Sequence, residues 1–337
     1  MNVLYIGGMG RSGSTLLNRM LGQLPGFTPV GEVGYVFDRG LLKNHRCGCG
    51  EAFATCPFWT AVGRTAFGGW ERLDRDELRR LLETVERTRY VPFMMVPRLF
   101  PAFRERLDRY VGLLHAVYAA AQQVSGARVL VDSTKEAATL HILRHVPGLE
   151  LSVVQLIRDP RGVVYSWSKK VRRPEVEDED SVAAFMPVWS TGLVTRRWVT
   201  ANALVSLAAR LGVPSIRVRY EDLIAQPARE LLRMVQLVSA ELPADALAFL
   251  DGGALLLPPT HTLAGNPMRF SSGRMVLRAD EAWRSELPAG KRRFVSVATW
   301  PMRRHYGSLN RPGSGGGTEA TGEWFDASTE EVSERVA

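Results

Sequence analysis

Two rhythms divide this chain: short unbroken apolar runs, and longer stretches with apolar residues three and four apart. Val3–Ile6 is an apolar run that ends in Gly7 and Gly8, which predicts a buried strand. Beyond a glycine-rich stretch, Leu16, Leu17, Met20, Leu21 and Leu24 fall on one helical face, and Pro25-Gly26 stops that helix. Asp74-x-x-Glu77 has the form of a capping box ahead of Leu78, Leu81, Leu82 and Val85. A further helix is predicted from Phe103 to Val124. These helices form an insertion at about 60–125, placed between the first and second strands.

The alternation then resumes. Arg128–Val131 predicts a strand ending at Asp132, followed by a helix through Leu140 and Leu143 that ends before Pro147-Gly148. Leu151–Ile157 is the clearest strand of the chain, and Asp159 can cap a helix with Pro160 at its first position. A long helix is expected over 184–211, a strand over Ser215–Val218, and a helix through Leu231, Leu232 and Val235 after Pro227. Strands alternating with helices imply an α/β fold: a P-loop-like three-layer sandwich with a central, mostly parallel sheet. Such sheets bind ligands beyond the carboxyl ends of their strands. The domain is expected over 1–310. Residues 311–337, rich in Gly, Ser, Thr and Glu, read as a disordered tail, and Glu175–Asp180 as a solvated loop.

Charge sharpens the picture. The net charge is +8, but the tail from Arg311 holds two basic and six acidic residues, so the first 310 carry 41 basic against 29 acidic. A basic body favours anionic partners, either nucleic acid or a small molecule with several phosphates. No motif interleaving aromatic and basic residues supports nucleic acid. No apolar stretch approaches the roughly 20 residues needed to span a bilayer, and no leader pattern opens the chain, so a cytoplasmic location without membrane contact is expected.

The loop between the first strand and helix carries chemistry. Gly8-Met-Gly-Arg-Ser-Gly13-Ser14-Thr15 fits the phosphate-loop pattern except that Ser14 stands where the lysine belongs. Glycines let backbone N–H groups approach phosphate oxygens, and a helix N-terminus favours negative charge. The missing lysine argues against a kinase or nucleotide hydrolase, which would neutralise β and γ phosphates there, although Asp132 could hold a magnesium ion. Arg11 supplies a cation at a different place in the loop, with a fork suited to a multi-oxygen anion.

Arg11-Ser12-Gly13-Ser14-Thr15 followed by Leu16-Leu17 resembles the 5′-phosphosulfate loop of sulfotransferases, closest to the tyrosylprotein and bacterial branches. The resemblance implies that these five residues cradle the 5′-phosphosulfate of 3′-phosphoadenosine 5′-phosphosulfate (PAPS). Arg158-Asp-Pro-Arg-x-x-x-x-Ser166 is similar to the family's second signature, which implies that Arg158 and Ser166 bind the 3′-phosphate. Val218-Arg-Tyr220-Glu-Asp-Leu223 resembles a later family turn and suggests Tyr220 or Arg219 near the cofactor. His261-Thr-Leu-Ala-Gly-Asn-Pro-Met-Arg269 resembles a C-terminal segment that folds over the nucleotide, with Arg269 and Arg274 as candidates to reach it. The resemblance covers residues 1 to about 306. A non-catalytic nucleotide-binding or interaction protein is a second alternative, against which Glu32 and Lys135 argue alongside the cofactor residues.

Sulfuryl transfer needs in-line geometry, stabilisation of the leaving phosphate, and a base for the acceptor's proton. Glu32, in Val30-Gly31-Glu32-Val33, is the candidate base. It follows the loop by the interval at which tyrosylprotein sulfotransferases place a catalytic glutamate. His261, His141 and His145 are rivals. Lys135, from Asp132-Ser133-Thr134-Lys135, can reach the bridging oxygen of the leaving group, with Arg11 assisting from the loop. This chemistry requires no metal. Trp59, Trp70, Tyr90, Phe93, Met94, Met95 and Phe100 suggest an apolar or aromatic small-molecule acceptor, in a pocket shaped by the insertion and by residues 171–185. The oligomeric state is open. Finally, His45, Cys47, Cys49 and Cys56 offer four potential zinc ligands, at a spacing unlike the common fingers and ribbons. Free thiols, a disulfide and a zinc site all fit that cluster.

Overall fold

The computed structural model describes residues 1–173, 185–251 and 253–307. The acidic run 175–180 and the tail 311–337 lie outside the described residues. The chain opens with β1 (Asn2–Gly8), α1 (Ser14–Leu21) and β2 (Phe27–Gly31). The insertion follows as α2 (Pro57–Phe67), α3 (Arg75–Thr84), α4 (Val91–Met95) and α5 (Pro101–Ser125). The α/β alternation resumes with β3 (Val129–Lys135), α6 (Ala137–Leu143), β4 (Glu150–Ile157), α7 (Pro160–Ser168), α8 (Thr191–Arg210), β5 (Ser215–Arg219), α9 (Tyr220–Ala225) and α10 (Pro227–Leu237). The chain finishes with β6 (Leu250–Asp251), β7 (Ala254–Leu257), β8 (Gly273–Val276), α11 (Trp283–Glu286), α12 (Ala289–Ala298) and α13 (Trp300–His305).

Five strands form a wholly parallel sheet in the order β2-β3-β1-β4-β5, as the alternation predicts. From central β1 the chain runs to the edge strand β2, returns to β3 beside β1, and then crosses to β4 and β5 on the other side. The loop after β1 therefore sits where strand order reverses, the place at which such sheets open a crevice. Period-two alternation sends side chains to both faces. From β1, Val3 and Tyr5 join the core beneath the insertion, whereas Leu4 and Ile6 join the core beneath α1 and α10. In β4, Leu151 and Val153 take the first face and Val154 and Leu156 the second. The layers are α5, α6 and α8 on one side, the sheet, and α1 and α10 on the other. Each fully buried aliphatic side chain contributes roughly 1.5–3 kcal/mol. A polar or truncated residue at Ile6 or Val153 would therefore strike the sheet at its centre.

Three expectations change. A strand, β2, precedes the insertion, so the helices enter between the second and third strands and Lys135 ends the third. The helix predicted over 184–211 begins at Thr191, because Pro187 precedes it and the Ser190 side chain caps it through Leu193 N–H at 3.4 Å. The Asp74 carboxylate does cap α3, accepting from Asp76 and Glu77 N–H groups. Glu77, however, pairs with Arg109 of α5 instead of reaching back, so the box is only half formed. The small antiparallel sheet β6-β7-β8 was not predicted. Among the described residues, no helix is long and apolar enough to cross a membrane.

Candidate active site

Each of the five parallel strands delivers one of the singled-out residues at or just beyond its carboxyl end, and all five reach one cleft of about 1460 Å³. They are Arg11 after β1, Glu32 after β2, Lys135 at the end of β3, Arg158 after β4 and Tyr220 after β5. Among the described residues, thirteen lysines and arginines line this cleft against five carboxylates, so it offers an anionic ligand a basic wall.

The loop after β1 is built for close approach. Gly13, at the N-cap position of α1, has φ 91°, and no side chain caps the helix. The N–H groups of the first turn are thus left for a ligand. A Cβ at Gly13 would lie 2.7 Å from the Tyr220 ring, so loop and ring pack only with glycine there. Ser14, Thr15 and Arg11 line the cleft. Thr15 Oγ1 accepts from Asn266 N–H at 3.4 Å, which ties the loop to the C-terminal segment. Ser12 is buried off the cleft wall, with its Oγ lacking a partner.

Arg11 holds a left-handed backbone, φ 71°, which a non-glycine residue adopts at a cost of about 1 kcal/mol. Its guanidinium lies 5.4 Å from the centre of the Trp167 ring, and its Nε is buried without a partner. Burial, with Arg173 and Arg158 nearby, pulls its pKa down to about 10. The buried Arg158 meets the half-buried Arg11 here: Arg158 Nη1 donates to the Arg11 carbonyl at 3.1 Å. Arg158 Nη2 donates to the Asp280 carboxylate and carbonyl, each at 3.0 Å, and the guanidinium rests 4.7 Å above the Tyr220 ring. Ser166 lines the same cleft from α7, which Asp159 caps through Arg161 N–H with Pro160 at the first position.

On the other wall, the Lys135 ammonium pairs with the Glu32 carboxylate and donates to the Ser133 carbonyl at 2.7 Å. Lys135 also sits in the left-handed region, φ 71°. The turn beneath it is fixed by Asp132, which is fully buried and accepts from Tyr118 O–H, Thr134 N–H and Thr134 O–H. Burial lifts the Asp132 pKa to about 6. Glu32 is 5 % exposed, with Arg39 Nη1 3.7 Å from its second oxygen and its N–H on the Leu263 carbonyl at 2.7 Å.

Other sequence expectations land elsewhere. Arg274 lines the cleft, but Arg269 is buried away from it, donating to the Gly265 and Arg46 carbonyls at 3.1 and 3.4 Å. His141 and His145 lie off the cleft and donate to the carbonyls of Leu204 and Met94. Burial holds both below the usual imidazole pKa. His261 sits with the cysteines, so none of the three histidines lines the cleft. None of the seven proposed acceptor residues lines it either. Trp59, Trp70 and Met94 are core, and Tyr90, Phe93 and Phe100 border a separate hollow of about 350 Å³. The insertion contributes Leu82, Glu86, Arg87 and Thr88 instead, and the following loop adds Val171 and Arg173. Asp280, Trp167 and Glu86 carried no signal in the sequence.

Comparison with known proteins bears on family and fold. The model of the sulfotransferase family matches residues 4–243. No curated protein sequence matches the chain. Among solved structures, the sulfotransferase domain of the Synechococcus PCC 7002 olefin synthase is 20% identical, with a TM-score of 0.51 over 93% of this chain and 96% of that one. The sulfotransferase domain of the curacin biosynthetic pathway is 19% identical, with a TM-score of 0.43 over 88% and 95%. A sulfotransferase of Mycobacterium tuberculosis H37Rv is 14% identical, with a TM-score of 0.39 over 73% and 69%. The first of these shares the fold, and the family match covers the strand ends that build the cleft: the chain belongs to the sulfotransferase family, enzymes of sulfuryl transfer.

Proposed function

We propose that the protein moves a sulfuryl group from PAPS to a hydroxyl of a small-molecule acceptor, with Glu32 as base. One observation carries this reading. The buried Glu32–Lys135 pair faces the same cleft as the uncapped α1 N-terminus and the Arg11–Arg158 cluster. A base and its cationic partner thus stand opposite a built anion site. The residues suit a bisphosphorylated nucleotide. The first-turn N–H groups are uncapped, the Arg11 Nε is buried and unsatisfied, and Arg11 lies beside Arg158 and Arg173.

Arg11, Gly13, Ser14 and Thr15 would hold the 5′ end of the nucleotide, and Arg158 with Ser166 the 3′-phosphate. Arg274 and the ring of Tyr220 flank them. When bound, PAPS supplies an activated sulfuryl group on a phosphate leaving group. The chain supplies the rest. The Glu32 carboxylate takes the acceptor's proton. The ammonium of Lys135, paired with that carboxylate, faces the negative charge that develops on the leaving phosphate. The Asp280 carboxylate occupies the Arg158 fork in the free protein and must yield part of it to a phosphate. The acceptor is read as entering past Tyr35, Leu82 and Thr88, a wall of mixed polarity.

The test is the melting temperature of the purified chain with 3′-phosphoadenosine 5′-phosphate, set against ATP with magnesium. Ligands of the folded state raise it by mass action. We expect stabilisation by the bisphosphate only, weakened by Arg158→Ala. Stabilisation by magnesium ATP alone would overturn the proposal.

A further inference from the structure

We propose that Cys47, Cys49, Cys56 and His261 form a structural zinc site that ties the C-terminal segment to the entrance of the insertion. The four ligand atoms lie within 4.8 Å of one another. Cys49 Sγ is 3.8 Å from Cys56 Sγ, and His261 Nδ1 is 3.3 Å from Cys56 Sγ and 3.9 Å from Cys47 Sγ. Zinc–sulfur and zinc–nitrogen bonds of ordinary length at tetrahedral angles place sulfurs about 3.8 Å apart and sulfur and nitrogen about 3.6 Å apart. The observed edges straddle those values. The 3.8 Å between Cys49 Sγ and Cys56 Sγ is well beyond a disulfide bond, and none of the three cysteines is disulfide-bonded. His45, which the local spacing would nominate, is not in the group. The fourth ligand comes from 205 residues beyond Cys56.

The surroundings fit a metal site. The Phe58 ring stacks on His261 at 5.5 Å, and Trp59 Nε1 donates to the His261 carbonyl at 3.0 Å, fixing the imidazole. Between the first two cysteines, Gly48 N–H donates to the Thr262 carbonyl at 2.9 Å. A Cβ on Gly48 would lie 2.5 Å from Thr262 Oγ1, so the two segments could not close with another residue there. Two residues beyond His261, Leu263 pairs with Gly31 and Glu32. The zinc would thus anchor the segment that borders the catalytic glutamate, away from the cleft itself.

The test is metal content of the full-length chain purified without chelator, together with cobalt exchange. We expect one equivalent of zinc per chain, the charge-transfer and d–d bands of a tetrahedral thiolate site with cobalt, and a lowered melting temperature after chelation. His45→Ala should retain the metal, whereas His261→Asn and Cys56→Ser should lose it. If those variants fail to fold, cobalt spectra and thiol accessibility of the unaltered chain decide. Less than a tenth of an equivalent after incubation with zinc chloride, three freely reactive thiols, or a Cys49–Cys56 disulfide would overturn the site. Nucleotide binding is measured separately, so failure of the zinc proposal leaves the sulfotransferase reading standing.

Discussion

Individual residues carry the chemistry, and the Glu32–Lys135 pair is the point at which it is most exposed to test. Replacing Glu32 by glutamine keeps the shape and removes the proposed base. Turnover of labelled PAPS should fall by about 10²–10⁴, the usual value of a positioned general base, while affinity for 3′-phosphoadenosine 5′-phosphate stays within a few-fold. Loss of nucleotide affinity with unchanged turnover would refute the assignment. The position of these two residues on the cleft was legible because each follows an identifiable strand or loop at a familiar interval. Arg269 was not: its guanidinium is absorbed by the carbonyls of Gly265 and Arg46, and a motif letter does not reveal which way a side chain turns. The aromatic residues of the insertion misled for a related reason. Trp59 and Trp70 have the same composition signal whether they line a pocket or fill a core, and here they fill it.

At the level of elements, polar pins hold the insertion to the sheet, and one of them responds to pH. Glu86, just beyond α3, accepts from Tyr110 O–H of α5 at 2.7 Å and Thr139 O–H of α6 at 2.9 Å. Burial raises its pKa to about 8 from an ordinary 4.5. Between those values the folded protein holds a proton that the unfolded chain has released. Stability from this group is therefore full at low pH and lost as pH rises toward 8, at up to about 1.4 kcal/mol per pH unit. Glu86→Gln should flatten the slope of stability against pH relative to the unaltered chain, most visibly above pH 6, where Asp132 no longer contributes. Denaturant titrations at several pH values measure it, and parallel slopes would exclude the pin. Element type was readable wherever apolar spacing was strong, as in β1, β4 and α1. The strand β2 escaped because Phe-Thr-Pro-Val-Gly reads as a turn. Pro29 is tolerated there since β2 is an edge strand, where a missing N–H donor costs little. The strands β6, β7 and β8, of two to four residues, are too short to leave a period.

Across the whole molecule, the parallel sheet is complete at Arg219, yet the cleft is not. Glu32 is held from behind by Leu263, and the Arg158 fork by Asp280. Both contacts join positions more than a hundred residues apart and belong to a segment with few strands or helices of its own. Contacts of that span form late and are weakly protected, since closing the loop costs entropy that little local structure repays. In a denaturant series, nucleotide-induced stabilisation and activity should vanish before the helical signal does. Coincident curves would contradict this.

The pairing of Leu263 with the edge of β2 also sets a timetable for synthesis. As the chain leaves the ribosome, every strand of the central sheet emerges before His261 and Leu263. The scaffold can therefore fold while Glu32, the proposed base, still lacks a wall, and the cleft closes only when the segment carrying Leu263 arrives.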